Sequence, residues 1–145
     1  MSGTIAVPPP PSGQVYARGD HAKAFELLKA PARSGDVQAQ ALLGYMHDSG
    51  LGTDENDAEG LKWYEMAARQ GDPISQLNVG IMYADGLGTA TDLVRAWVWF
   101  TLAARSQPVG EVHDQATQKI DLAKSKLTAG EIAKAESIVN DMVAQ

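Results

Sequence analysis

A 36-residue internal period constrains this chain more than any other feature of its sequence. Gly35-Asp36 returns as Gly71-Asp72, Gly44 as Gly80 and Met46 as Met82. The turn Gly50-Leu51-Gly52-Thr53 returns as Gly86-Leu87-Gly88-Thr89, Trp63-Tyr64 as Trp99-Phe100, and Ala67-Ala68-Arg69 as Ala103-Ala104-Arg105. A fixed period of roughly 20–50 residues belongs to stacked supersecondary units, each burying its apolar face on the next. One core folded around a catalytic centre has no reason to show it. The expectation moves from chemistry to binding.

The units read as helix pairs. Val37–Asp48 and Pro73–Ala84 are predicted as the first helices of two repeats, with Asp36 and Asp72 as N-caps and Pro73 in the first turn. Asp57–Arg69 and Asp92–Arg105 are the predicted second helices, and Gly71 falls where a C′ glycine belongs. Asp20–Ser34 matches a second helix at the same offset, with Phe25, Leu28, Ala32 and Arg33 standing for Leu61, Tyr64, Ala68 and Arg69. Its own first helix is missing or stunted, because only Gln14–Arg18 separate it from a proline run. Gly50, Gly52, Gly86 and Gly88 lie between first and second helices, where a tight turn calls for positive φ. Gly44 and Gly80 instead lie inside helices, where glycine costs about 1 kcal/mol against alanine. Meeting that cost twice at equal spacing predicts a neighbour too close for a Cβ. Trp63, Tyr64, Trp99 and Phe100 then belong to the core.

The two ends depart from the period. Residues 1–13 read as a flexible leader, because Pro8–Pro11 favour polyproline II and Ser12-Gly13 adds freedom. That leader is a linker or an appended segment, or else a ligand for an aromatic groove. Repeats follow over 14–108, as a partial repeat 14–36 and full repeats 37–72 and 73–108. Residues 109–145 are read as a helical cap. In it, Glu111–Lys126 forms one helix and the capping box Thr128-Ala129-Gly130-Glu131 opens another.

Composition narrows the class further. The 145 residues include no cysteine, so there is no disulfide framework, thiolate nucleophile or cysteine zinc site. A net charge of -6, with 12 scattered basic residues, argues against nucleic acid. No apolar run is long enough to insert in a membrane. Met1–Val7 carries no basic residue and is not a secretory signal as written. The absence of cysteine is compatible with either redox compartment, so the compartment is left unknown, with a periplasmic chain whose signal has been removed favoured over a cytoplasmic one.

The repeated residues resemble the Sel1-like repeat family, a relative of the tetratricopeptide repeat. The first copy carries the resemblance through Ala39, Leu43, Gly44, Gly50, Gly52, Trp63, Tyr64, Ala67, Ala68 and Gly71. The second carries it through Val79, Gly80, Tyr83, Gly86, Gly88, Asp92, Ala96, Trp99, Phe100, Ala103 and Ala104. His47 stands where the family usually has the tyrosine seen at Tyr83, and Ser75 replaces the alanine seen at Ala39. The resemblance implies an all-α, right-handed solenoid of stacked antiparallel helix pairs. It implies a non-catalytic scaffold or adaptor for a partner protein or peptide, with bacterial members often in the periplasm or in envelope signalling. The alternative is a regulatory module that restrains an enzyme or sensor by occlusion.

Sharper readings of single motifs are weaker. The stretch Asp48–Glu59 is acidic, but an EF-hand starting at Asp54 would need a glycine at its sixth position, where Glu59 stands. It is read as a solvated acidic loop, or a contact for a stray cation or basic partner. Arg18-Gly19-Asp20 is the turn before a helix rather than an integrin signal. His21, His47 and His113 have no zinc-ligand spacing. His47, Asp48 and Ser49 are adjacent on a helix, point apart, and cannot form a hydrolytic triad. No catalytic, cofactor-binding or metal residue is assigned.

By the resemblance, first helices line the concave face. The candidate partner contacts are Gln38, Ala41, Leu42 and Tyr45 in one repeat, and Ile74, Leu77, Asn78 and Ile81 in the next. Leu42 and Leu77, if exposed, make an apolar strip for a peptide or helix; otherwise they pack between repeats. The stunted start is expected to leave part of Phe25, Leu27 and Leu28 poorly covered, so that either the native chain begins earlier or this edge meets another subunit or a partner.

Overall fold

The computed structural model describes residues 19–145, and all the regular structure among them is α-helical. The helices are α1 (His21–Arg33), α2 (Val37–Ser49), α3 (Asp57–Arg69), α4 (Pro73–Asp85), α5 (Leu93–Ser106), α6 (Glu111–Lys124) and α7 (Ala129–Val143). The leader 1–13, Gln14–Arg18 and the arginine of the Arg-Gly-Asp tripeptide lie outside the described residues.

Short polar side chains fix where the helices begin. Asp36 accepts a hydrogen bond from the Ala39 N–H and Asp72 from the Ser75 N–H, both at 2.8 Å. Asn56 caps α3 through the Glu59 N–H at 3.1 Å, and Asp92 caps α5 through the Arg95 N–H at 3.0 Å. Each satisfies one of the donors that a helix start leaves orphaned, which is worth about 1 kcal/mol. Thr128 and Glu131 close a reciprocal capping box on α7.

Packing is pairwise and sequential. α2 packs on α3 and α4 on α5, while α2 also leans back on α1 and α4 on α3. The aromatic rings of the second helices lie on the bare backbone of the first. A methyl group built on Gly44 would stand 2.7 Å from Tyr64 Cδ1, and one on Gly80 would stand 2.5 Å from Phe100 Cδ1. Tyr64 and Phe100 are buried at 0% and 2% exposure, and burying such a ring stabilises by roughly 1.5–3 kcal/mol. The close approach predicted from the two helical glycines is therefore that of a ring.

The turn between first and second helices reaches back to the previous repeat. Gly52 (φ 72°) and Gly88 (φ 71°) are left-handed. A Cβ on Gly52 would collide with the His21 carbonyl, and one on Gly88 would meet the Asp57–Ala58 peptide at 2.5–2.6 Å. Each loop thus seats on the first turn of the preceding second helix, and only glycine fits there.

A second device joins the repeats at the other end. The buried Gln40 amide donates to the Ala32 carbonyl at 3.0 Å, and Gln76 donates to the Ala68 carbonyl at 3.2 Å. Both caught carbonyls belong to the last turn of the preceding second helix, outside its i→i+4 ladder, and each also accepts from the following glycine, Gly35 N–H at 3.1 Å and Gly71 N–H at 3.0 Å. Gln40 Oε1 in turn accepts from Gln70 Nε2 at 2.8 Å. The position 36 residues beyond Gln70 is Ser106, and the buried Gln76 Oε1 has no partner among the described residues.

The period ends because its connector ends. After α1 and α3 the chain turns through Gly35 (φ 99°) and Gly71 (φ 94°), closing bonds from Asp36 to Pro31 and from Asp72 to Ala67. After α5 the matching residue is Gln107, in extended conformation, and Pro108–Gly110 carry the chain outward. Each C-terminal helix consequently packs on α5 rather than chiefly on the other, and α6 also touches α4.

Replacing Gly80 by alanine sets a helix-propensity gain of about 1 kcal/mol against an overpacking cost of about 1–3 kcal/mol. A net loss of up to about 2 kcal/mol in urea unfolding is expected. Gly130→Ala, where the added methyl meets nothing within 4 Å, is the control and should be neutral or stabilising. Equal effects at the two sites would remove the ring-on-glycine contact as a structural constraint.

Candidate partner-binding surfaces

The eight first-helix residues proposed as contacts meet different fates. Ala41, Leu42, Leu77, Asn78 and Ile81 are buried within the chain, with Leu42 and Leu77 both at 0% exposure. Tyr45 and Ile74 are half-buried, and only Gln38 is exposed. The apolar strip imagined at Leu42 and Leu77 is therefore not a surface. The reason is enclosure. α4 is packed by α3, α5 and α6, and its nine residues Ser75–Tyr83 are all buried. α2 is held between α1 and α3. Tyr45 packs against both hydrophobic clusters and so bridges the α1–α2 core and the α3–α7 core.

The N-terminal edge is also better covered than its sequence suggests. Phe25 and Leu28 are each 8% exposed, clustered with Leu42, Leu43 and Met46. The Lys29 ammonium stands 4.7 Å over the Phe25 ring, and His47 meets that ring edge-on at 5.1 Å. Of the three residues expected to be open, only Leu27 is, at 58%. Among the described residues the apolar opening at this edge is thus narrowed to Leu27.

A groove of about 460 Å³ opens instead on the side formed by the second helices, between α3, α5 and α7. Val98, Trp99, Ile138 and Met142 give it apolar walls, and Arg69, Glu65, Tyr83 and Arg95 give it charge and hydrogen bonding. The Tyr83 hydroxyl donates to Glu65 at 2.7 Å and accepts from Arg95 Nη1 at 3.3 Å. The Arg95 guanidinium lies 5.5 Å from the centre of the Tyr83 ring, a cation–π distance. Burial, then the bond to Glu65, raises the Tyr83 phenol above its ordinary range, so it stays a neutral donor. Sequence reasoning missed this network, although Glu65, Tyr83 and Arg95 come from three consecutive helices at positions the repeat makes comparable.

Comparison with known proteins agrees with this architecture. The Sel1 repeat model matches residues 12–36, 37–72 and 73–107, which is most of the chain. The chain belongs to the Sel1 repeat family. It superposes on a protective antigen present in uropathogenic Escherichia coli strains, which displays an SLR fold, with a TM-score of 0.80 and 29% identity over 90% of this chain. It also superposes on a Sel1 repeat protein from Oxalobacter formigenes, with a TM-score of 0.66 and 32% identity over 74% of this chain. The chain spans only 28% and 42% of those two proteins' lengths. None of the curated proteins matches it.

Within this Sel1 stack the two junctions differ in charge. The residues 36 positions before Glu65, Tyr83 and Arg95 are Lys29, His47 and Glu59, so acid and base exchange places. His47 is pushed below its ordinary pKa chiefly by burial, with Glu59 opposing and Lys29 reinforcing. The junctions also differ at Asp48 and Asp57, whose counterparts are Ala84 and Leu93. Asp48 is pushed up from 3.8 to about 6, first by burial, then by the charge of Asp57, its hydrogen bond, and Glu55. Asp54 and Glu55 remain exposed, and among the described residues no three His, Cys, Asp or Glu side chains converge as metal ligands.

The Asp48 shift has a definite sign. The folded chain holds this proton more tightly than the unfolded one, so its contribution grows as pH falls from about 7 through 6 towards 3.8. His47 acts oppositely: its folded pKa is lowered, so its contribution is present above 6.5 and is lost as pH falls. Asp48→Asn is expected to raise stability near pH 7.5 by about 1 kcal/mol, a figure reduced for solvent screening of a half-exposed group. The gain should vanish near pH 4. Urea titrations at both values check this, and a gain independent of pH would show that the carboxylate pair is not its source.

Proposed function

We propose that this chain is a non-catalytic scaffold that holds a partner protein or peptide. Its Sel1 membership carries the reading, because Sel1 repeat proteins generally mediate protein–protein interaction. Two physical features support it. The internally repeated positions are spent on packing, through Gly44, Gly80, Tyr64, Phe100, Gln40 and Gln76. Among the described residues no helix is long and apolar enough to cross a membrane. What remains of the first-helix face, Gln38 with the half-buried Tyr45 and Ile74, is proposed as one contact line.

The setting we propose is the bacterial envelope, with the periplasm as the compartment. The likeness to a protective antigen of uropathogenic Escherichia coli favours it, since an antigen that elicits protection suits an extracytoplasmic site.

Immobilised native chain should retain a host protein that then co-elutes with it at fixed stoichiometry in size-exclusion chromatography. The heat-unfolded chain is the control. Retention by both forms alike, or by neither, would defeat the scaffold reading. Leu42→Glu with Leu77→Glu would place two carboxylates in the core, and loss of the fold is the expected result.

A further inference from the structure

The groove between α3, α5 and α7 combines features that point to one kind of occupant. It brings two guanidiniums, Arg69 and Arg95, beside Glu65, with Asp92 paired to Arg95 at 3.5 Å, so Arg69 is the cation left over in a chain whose net charge is -6. Glu65 is already engaged by the Tyr83 hydroxyl at 2.7 Å. Arg69 is exposed and makes no ion pair among the described residues. Arg95 is held in place by Tyr83 and by Asp92 at 3.5 Å, so little side-chain freedom is lost when it takes a further acceptor. Planar guanidiniums bind carboxylates in paired hydrogen bonds that a lysine cannot match. Alongside them lie Ile138 and the adaptable Met142, half-buried and able to receive one large apolar side chain. The groove's volume of about 460 Å³ accommodates a few side chains, not a folded domain.

We propose that this groove receives a short acidic segment of the partner protein, its carboxylates on Arg69 and Arg95 and one apolar side chain against Ile138 and Met142. The proposal rests on the scaffold reading and gives it a chemistry. A nucleic acid would also offer anions, but its extended polyanion would run out over an acidic surface. A short peptide stays within about one Debye length, roughly 8–10 Å, of the arginines.

The test uses an array of random octapeptides probed with the full chain, with hits measured by fluorescence anisotropy. Bound peptides are expected to be enriched in Asp and Glu around one large apolar residue, and to weaken as salt is raised. Arg69→Gln and Arg95→Gln should each lose about tenfold or more in affinity. Arg69→Gln is the decisive variant, since the exposed Arg69 makes no hydrogen bond or ion pair among the described residues and its loss should leave the circular dichroism spectrum and Tm unchanged. Hits without acidic enrichment, or hits kept by Arg69→Gln, would overturn the groove while leaving the scaffold reading to the co-elution experiment. An array with no hits would overturn the groove in the same way. Concentration-dependent dimerisation in light scattering, lost in Arg69→Gln, would also overturn it by making the exposed Asp54-Glu55 loop of a second copy the occupant.

Discussion

In each full repeat an aromatic ring of the second helix lies flat against a glycine of the first, and the remaining geometry follows from that contact. With no Cβ at Gly44 or Gly80, the helices come close enough for Tyr64 and Phe100 to be fully enclosed. The short approach fixes where the connecting turn emerges. That turn is then tight enough to need left-handed glycines at its closing positions, and near enough to the previous repeat to seat on its second helix. The bonds from Asn56 N–H to the His47 carbonyl at 2.7 Å and from Asp92 N–H to the Tyr83 carbonyl at 2.8 Å close the two loops identically. Gln40 and Gln76 complete the join at the far end. Stacking is thus enforced at both ends of α1 and of α3, one by backbone proximity and the other by a buried amide.

The first-helix side is enclosed: α4 is wrapped by α3, α5 and α6 along nine consecutive residues. The open surface lies among the second helices, where α7 fails to close against α3 and leaves the groove beside Trp99. The same stack distinguishes its two junctions, Lys29–His47–Glu59 and Glu65–Tyr83–Arg95, by exchanging charges on a common frame. A scaffold assembled from equal packing units gains direction from such differences, since packing positions tolerate little change while rim positions are free to diverge.

Some of this was legible in the sequence for local reasons. Asp36, Asp72 and the Thr128–Glu131 box announce helix starts because their side chains act on N–H groups within three residues. Gly44 and Gly80 announced a close approach because a helical glycine has no local benefit. Gln40 and Gln76 were equally periodic and passed unnoticed, since a glutamine in a helix carries no cost that demands explanation. Gln107, which stands where Gly35 and Gly71 stand in the earlier repeats, likewise passed unnoticed until its extended conformation showed the stacking geometry ending at α5.

The sequence by itself determined that the chain is a stack of helix pairs, where each helix begins, and which aromatic side chains join them. Those properties depend on spacing and on contacts within one turn or one repeat, which the period displays directly. Only the tertiary structure decided that Leu42 and Leu77 are core, that Phe25 and Leu28 are covered, and that Arg69, Arg95 and α7 share a groove. Exposure is a property of all the neighbours a residue acquires. Here the last of those neighbours, α6 and α7, come from the one segment that the period does not describe.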